Sequence, residues 1–142
     1  MTADLLTLKV ANDVAAIPKV AAELEAFCTM HALSSRTAHR FNLALEEVLA
    51  NVIAYAFPTG GHQEIDVRVA YSDGRLHATV SDGGSAFNPL TRPIPDLQVP
   101  IEERQIGGLG IHLLRTLTDA ADYRRDSDRN VLTFSMRAGN AK

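Results

Sequence analysis

The sequence predicts a two-layer α/β sandwich in which helices cover one face of a mixed, mostly antiparallel sheet. Two hydrophobic periods indicate this fold: several segments alternate with a period of two, and two segments near the N-terminus repeat at helical spacing. Each predicted strand has one apolar and one polar face, which is typical of a sheet covered on one side. With 142 residues, 46% of them hydrophobic and 22% charged, we expect residues 1–142 to form one globular domain.

The first third of the chain predicts one strand and two helices. Leu6, Leu8 and Val10 alternate with polar residues, as in a half-buried strand. Helical spacing then predicts helices over about 17–31 and 36–56, with Ser34 and Ser35 as candidate N-caps of the second. The predicted buried stripe of this second helix consists of Phe41, Leu45, Val48, Leu49, Val52 and Ala56.

The rest of the chain predicts two hairpins and one more helix. Strands over about 64–71 and 76–81 are joined by Asp73-Gly74, a strong two-residue turn signal. A second hairpin runs from about 123 through a polar turn at 127–130 and into a strand with Leu132, Phe134 and Met136 on one side. A helix over about 110–119 is predicted between the hairpins.

Composition narrows the class of protein. Fourteen basic and seventeen acidic residues give a formal net charge of −3, which argues against a dedicated nucleic-acid-binding protein. The single cysteine, Cys28, excludes an internal disulfide, and we expect it to be a small buried hydrophobe. From the first ten residues we expect no secretory signal, and the longest uncharged run, about 48–61, is too short to span a bilayer. We therefore expect a cytoplasmic protein without a membrane segment.

The second predicted helix carries a pair of residues that could perform chemistry. Glu47 and Asn51 are four residues apart and so lie on one helical face. A carboxylate and an amide oxygen placed this way can meet a hydrated Mg²⁺ and a nucleophile together. On spacing alone, a solvated helix edge is the simpler interpretation.

Two glycine-containing motifs follow predicted elements. Asp82-Gly83-Gly84 comes directly after a strand, where the carboxylate could accept a hydrogen bond from an exocyclic amine; a plain turn fits equally well. Gly107-Gly108-Leu109-Gly110 opens a helix, where backbone N–H groups could approach an anion; a flexible hinge is the alternative. The segment 87–110 holds four of the six prolines, which favours a functional loop or lid over a disordered insertion.

Together and in this order, the three motifs resemble the GHKL (Bergerat-fold) ATP-binding superfamily. Glu47-x-x-x-Asn51 resembles its N box, Asp82-x-Gly84 its first glycine box, and the run from Gly107 to Gly110 its second. The proline-rich segment lies where that superfamily has its ATP lid. The short chain, the N-terminal strand and the second glycine box further resemble the bacterial anti-sigma-factor serine/threonine kinases, over about residues 5–137.

The resemblance implies a role for each matching residue. It makes Glu47 the general base, Asn51 the Mg²⁺ ligand and Asp82 the residue that binds adenine. Thr133, on the last strand, corresponds to a threonine that supports the acidic residue. The positions implied to contact the base and phosphates of ATP are Gly84, Gly107, Gly108, Leu109 and Gly110.

Two further positions depart from the pattern or extend it. Tyr55 stands where these kinases often carry a histidine, one helical turn past Asn51, and this leaves retention of kinase activity open. Arg104, just before the second glycine box, could reach a γ-phosphate or be a solvated charge.

The resemblance implies an ATP- and Mg²⁺-dependent serine/threonine kinase. Such a kinase phosphorylates an anti-sigma-factor antagonist and sequesters a sigma factor, with no direct contact to nucleic acid. Homodimers are common in this family, so we expect one here. The alternative function is a regulatory module that binds a nucleotide to set its conformation and transfers no phosphate; an ATPase that only hydrolyses is a third possibility.

Overall fold

The computed structural model describes residues 4–58, 60–91 and 114–139, and its strands form one five-stranded sheet. The spatial order is β1-β2-β3-β5-β4, and every neighbouring pair is antiparallel. The two-layer prediction is confirmed, and within the described residues the sheet is antiparallel throughout rather than mixed. The strand bounds are β1 Leu5–Ala11, β2 Glu64–Ser72, β3 Arg75–Asp82, β4 Ala120–Asp126 and β5 Arg129–Arg137.

Two long helices cover one face of this sheet. Helix α1 spans Ile17–Met30 and α2 spans Ser35–Tyr55, each within a residue or two of its predicted bounds. The side chain of Ser34 accepts a hydrogen bond from Thr37 N at 3.1 Å, so Ser34 is the N-cap of α2. Residues 114–117 form a helical turn within the predicted third helix, and the rest of that prediction before residue 114 lies outside the described residues.

The core lies between α2 and the inner face of the sheet. All six residues of the predicted α2 stripe are at most 4% exposed. They pack against inward-facing residues of the central strands, and each large apolar side chain among these contributes roughly 1.5–3 kcal/mol on burial. The inner sheet residues are Ile65, Val67, Val69, Leu76, Ala78, Val80, Leu132, Phe134 and Met136.

Cys28 is part of this core. It is 1% exposed, and burial raises the pKa of its thiol to about 11. At neutral pH the thiol therefore stays protonated and unreactive, which confirms its prediction as a small hydrophobe.

The two hairpins have tips of the same kind. At the β2–β3 tip, Asp73 and Gly74 have φ of 55° and 73°, as the predicted two-residue turn requires. At the β4–β5 tip, Ser127 and Asp128 have φ of 50° and 64°. The tight turns hold β2 with β3 and β4 with β5 in register, whereas the pairing of β3 with β5 brings Asp82 opposite Asn130 at the end of β3.

No helix within the described ranges combines the length and apolar character that a membrane crossing requires.

Candidate functional site

The C-terminal half of α2 places Asn51 inside the protein rather than at a solvated edge. Asn51 is fully buried, and its Nδ2 donates to the backbone oxygen of Glu47 at 2.7 Å. This bond fixes the rotation of the amide, so Oδ1 is the atom with the chemistry of an Mg²⁺ ligand. The interpretation of this position as a solvated helix edge is therefore wrong.

Glu47 lies on the same face of α2, half-buried. Burial raises the pKa of its carboxyl above the ordinary glutamate value, and the neighbouring charge of Glu46 raises it further. A raised pKa makes the ionised carboxylate a stronger proton acceptor. These are the properties of a general base.

At the end of β3, Asp82 presents a buried and firmly oriented carboxylate. It is 1% exposed, and its Oδ1 accepts from Gly84 N at 2.8 Å and from Asn130 Nδ2 at 3.0 Å. Because both hydrogen bonds found among the described residues end on Oδ1, Oδ2 is the oxygen that an incoming donor can use. A buried carboxylate held by two hydrogen bonds is not explained by the plain turn that the sequence also allowed.

Gly84 brings the end of β3, with Asp82, against the C-terminal end of α2. A Cβ atom there would lie 2.3 Å from the Ala56 carbonyl oxygen and 2.9 Å from Asp82 Oδ1. The next residue, Ser85, donates its N–H to the same Ala56 oxygen at 2.8 Å. The loop after β3 therefore crosses directly over the C-terminal end of α2, one turn beyond Asn51, and only glycine fits at this crossing.

This crossing makes a testable difference between two adjacent glycines. Gly84→Ala is expected to lower the free energy of unfolding by about 1–3 kcal/mol, because backbone must move to admit the methyl group. Gly83→Ala is the matched control: its Cβ would meet Arg129 Nη1 at an ordinary 3.5 Å. Urea unfolding of both variants measures the difference, and equal stability would contradict the close crossing.

Aromatic packing fixes the first residues of the proline-rich segment. The rings of Tyr55 and Phe87 lie with centroids 5.5 Å apart at 32°, and Leu90 packs against the core within the short 3₁₀ turn Pro89–Thr91. The beginning of the segment 87–110 is therefore anchored to the core by apolar contacts. The remaining predictions for this segment, for Arg104 and for the second glycine box (Gly107, Gly108, Leu109 and Gly110) lie outside the described residues.

The prediction that Thr133 supports Asp82 is wrong. In the β3–β5 register Thr133 pairs with Thr79, on the outer face of the sheet, whereas Asp82 points to the inner face. Successive side chains on a strand alternate between the two faces of the sheet. The partner of Asp82 must therefore be one of the β5 residues that face inward, and Thr133 is not among them. The register places Asn130 opposite Asp82.

Asn130 is the residue of this site that sequence reasoning did not identify. It is 4% exposed and lies at the centre of a hydrogen-bond network. Besides Asp82, its Nδ2 donates to Ser85 O at 2.8 Å, and its Oδ1 accepts from Phe87 N at 3.0 Å and from the Tyr123 hydroxyl. The sequence does contain a hint of this role. Asn130 lies on the same face of β5 as Leu132, Phe134 and Met136, and it is therefore a polar residue in an otherwise apolar pattern.

The described residues fit a purine nucleotide and a hard cation. A buried carboxylate oxygen suits an exocyclic amine, and glycine at the crossing keeps backbone close to the place where a base would enter. The amide oxygen of Asn51 is a donor type that Mg²⁺ takes, and the carboxylate of Glu47 lies one helical turn away as a proton acceptor.

Comparison with known proteins supports the same class of protein. Residues 10–136 match the family model described as the histidine kinase-like ATPase domain. The chain is similar to the serine/threonine-protein kinase BtrW of Bordetella bronchiseptica, with 28% identity over 102 residues that cover 72% of each protein. It is also similar to the serine-protein kinase RsbW of Halalkalibacterium halodurans, with 33% identity over 90 residues that cover 60% of this chain and 54% of that protein.

Among solved structures, the fold resembles a crystal structure of the RsbU and RsbW domains of a Mycobacterium tuberculosis protein. The TM-score is 0.68 at 16% identity, and the match covers 99% of this chain and 35% of that one. The chain thus spans between about half and three quarters of these curated relatives and about a third of the structural one.

Proposed function

The chain belongs to the histidine kinase-like ATPase domain family, and from this premise we propose that it is an ATP-dependent serine/threonine kinase of the anti-sigma-factor type. The proposal names as protein substrate a small anti-sigma-factor antagonist, and as sequestered partner a sigma factor. The names of the relatives, serine/threonine-protein kinase BtrW and serine-protein kinase RsbW, support it.

One observation carries the proposal. The Gly84 crossing brings the buried Asp82 carboxylate beside the end of the helix that holds Glu47 and Asn51. This proximity supports one site that combines an acceptor for a base with two oxygen-bearing side chains for phosphate chemistry, although 31 residues or more separate them in sequence.

Each residue then has a distinct part in phosphoryl transfer. Asp82 Oδ2 accepts a hydrogen bond from the adenine amine, and Asn51 Oδ1 holds Mg²⁺. When bound, Mg²⁺ neutralises charge on the triphosphate. Glu47 takes the proton from the serine or threonine hydroxyl while that oxygen bonds to the γ-phosphorus, the bond to ADP breaks, and the products are ADP and the phosphorylated antagonist.

The proposal also covers the cellular location, the domain extent and the oligomeric state of the protein. A sigma factor acts inside the cell, so the proposed partners place the protein in the cytoplasm. We further propose a single domain over residues 1–142 that pairs as a homodimer, as the family resemblance implies.

The metal-binding part of the proposal predicts the behaviour of Asn51→Ala. Removing the amide oxygen should weaken MgATP binding to about the affinity measured without Mg²⁺, because the metal then adds no protein contact. Asn42→Ala, in the same helix and away from the site, is the matched control. Calorimetric titrations with ATP in the presence of Mg²⁺ or EDTA give the comparison, and an unchanged Mg²⁺ dependence would remove Asn51 as the ligand.

Tyr55 supports one alternative function. It replaces the histidine common in these kinases and packs on Phe87, which favours a regulatory module that binds nucleotide and a partner without transferring phosphate.

Incubating the chain with MgATP and purified candidate antagonists separates the two functions. The kinase proposal predicts that the intact mass of one antagonist rises by one phosphoryl group within minutes. Binding of MgATP and of a sigma factor, with no phosphorylation of any antagonist encoded beside this gene, would favour the regulatory module.

A further inference from the structure

Building on the proposed function, we infer that Asn130 is a positioning residue for the nucleotide site: it orients the Asp82 carboxylate and holds the loop that surrounds it. The inference begins from burial. Asn130 occupies an inward position of β5 where the neighbours of the same parity are Leu132, Phe134 and Met136. A polar side chain in such a layer is costly unless its hydrogen bonds are made.

The hydrogen bonds of Asn130 allow only one orientation of its amide. Both Nδ2 hydrogens meet acceptors, Asp82 Oδ1 at 3.0 Å and Ser85 O at 2.8 Å. Every partner of Oδ1 is a donor, namely Phe87 N, the Tyr123 hydroxyl and Arg125 Nη1. A flipped amide would place oxygen against oxygen and N–H against N–H, so the donor side must face Asp82.

The same network secures the loop after β3 from two sides. Asn130 holds it at Ser85 and Phe87, while Arg125 Nη1 bonds both Asn130 Oδ1 at 3.1 Å and the Gly84 carbonyl at 2.9 Å. The loop is therefore fixed between the α2 end and the β4–β5 hairpin. Within the described residues, the hairpin reaches Asp82 through Asn130.

This arrangement determines which oxygen of Asp82 meets a ligand. With one oxygen held by Gly84 and Asn130, the orientation of the carboxylate is fixed and the other oxygen, Oδ2, is left as the acceptor. Asn130 needs no contact with the nucleotide for this effect. Its action on affinity and on base preference passes through Asp82.

Asn130→Asp tests the inference through a pH profile. The groups that face position 130 among the described residues are Asp82, Tyr123 and Arg125. In the variant, a second carboxylate faces Asp82, and at high pH it repels the Asp82 charge and supplies no donor. As the pH falls, one proton shared between the two carboxylates restores a donor between them.

The expected result is a deficit in MgATP affinity that depends on pH. Relative to the wild type at the same pH, binding should be more than about tenfold weaker near pH 8, a typical effect of losing a hydrogen bond to a charged group. The deficit should become smaller as the pH is lowered, because the shared proton replaces the lost donor. A deficit that stays constant with pH would mean a merely structural role and would overturn the inference.

Two further variants keep the test independent of folding. Asn130→Leu, of similar size without polar atoms, should lose MgATP affinity at every pH, and wild-type affinity there would overturn the inference. Tyr123→Phe removes one hydroxyl donor to Asn130 and serves as the test if the position 130 variants do not fold. We expect this variant to bind MgATP about threefold more weakly than the wild type, with an almost unchanged melting temperature. Equal affinity of Tyr123→Phe and the wild type would then overturn it.

Two controls distinguish a failure of the proposed function from a failure of this inference. If the wild type binds no MgATP, or if Asp82→Asn binds it as well as the wild type, the nucleotide site itself is wrong and the inference falls with it. If those two controls behave as expected and only the position 130 variants do not, the inference alone is overturned.

Discussion

Glu47→Gln should reduce phosphoryl transfer to the antagonist by about 10²–10⁴-fold while MgATP affinity changes little, because loss of a general base has effects of that size. Glutamine keeps the length and most of the hydrogen bonding of glutamate and removes only the proton acceptor. The Glu47 backbone oxygen still accepts from Asn51 Nδ2, so the amide that we propose as the Mg²⁺ ligand keeps its orientation. Single-turnover transfer and calorimetric binding, measured on the same preparation, give the two quantities.

The matched control is Glu46→Gln, which removes the neighbouring exposed carboxylate and should leave transfer close to the wild-type rate.

Stability provides a second check. The pKa of Glu47 is raised in the folded protein, so the folded state binds the proton more tightly than the unfolded state. Ionised Glu47 therefore opposes folding, and Glu47→Gln should melt at a temperature no lower than the wild type.

The same pKa shift sets the direction of the pH dependence. Transfer needs the ionised carboxylate, so the wild-type rate should fall as the pH drops through a value above the ordinary glutamate pKa. In Glu46→Gln the like charge that contributes to the shift is gone, and this fall should move to lower pH. A Glu47→Gln variant that transfers phosphate at the wild-type rate would show that Glu47 is not the base.

Asp82→Asn should weaken ATP binding by more than about tenfold, the usual effect of losing a hydrogen bond to a charged group. The geometry adds a second effect. Oδ1 meets two donors, Gly84 N and Asn130 Nδ2, so the amide oxygen of the variant stays there and its NH₂ group takes the place of Oδ2. A donor then faces the adenine amine, whereas the carbonyl oxygen of guanine could accept from it.

The preference for ATP over GTP should therefore shrink or reverse in Asp82→Asn, as competition titrations would measure. Asp66→Asn is the control. Asp66 also carries hydrogen bonds, from Lys9 at 2.7 Å and Arg129 at 2.8 Å, but it lies on the outer face of the sheet. Unchanged ATP affinity in Asp82→Asn, or GTP binding by the wild type as strong as that of ATP, would remove Asp82 from the site.

Local sequence patterns were sufficient to predict most of the fold. The α2 stripe repeats at helical spacing, and Asp73-Gly74 supplies the positive φ angles of the first hairpin. Both signals depend on residues close in sequence, so no knowledge of tertiary contacts was needed. The spacing of Glu47 and Asn51 likewise placed them on one helical face.

Long-range register is what the sequence patterns did not resolve. The family resemblance pointed to Thr133 as the support of Asp82, and only the β3–β5 register shows that Thr133 lies on the opposite face of the sheet and that Asn130 faces Asp82. The Gly84 crossing is also non-local, because its partner is the carbonyl of Ala56 at the end of a helix. Neither contact has a signature within a short window of sequence.

The central claim is that Asp82, Asn51 and Glu47 belong to one MgATP site, and a crystal structure with Mg²⁺ and a non-hydrolysable ATP analogue tests it most directly. The account predicts the adenine amine within hydrogen-bond distance of an Asp82 oxygen, Mg²⁺ on Asn51 Oδ1 and the Glu47 carboxylate facing the γ-phosphate. A nucleotide bound elsewhere would contradict it, for example in the cleft of about 310 Å³ between α1 and α2 that Ala21, His39 and Asn42 line.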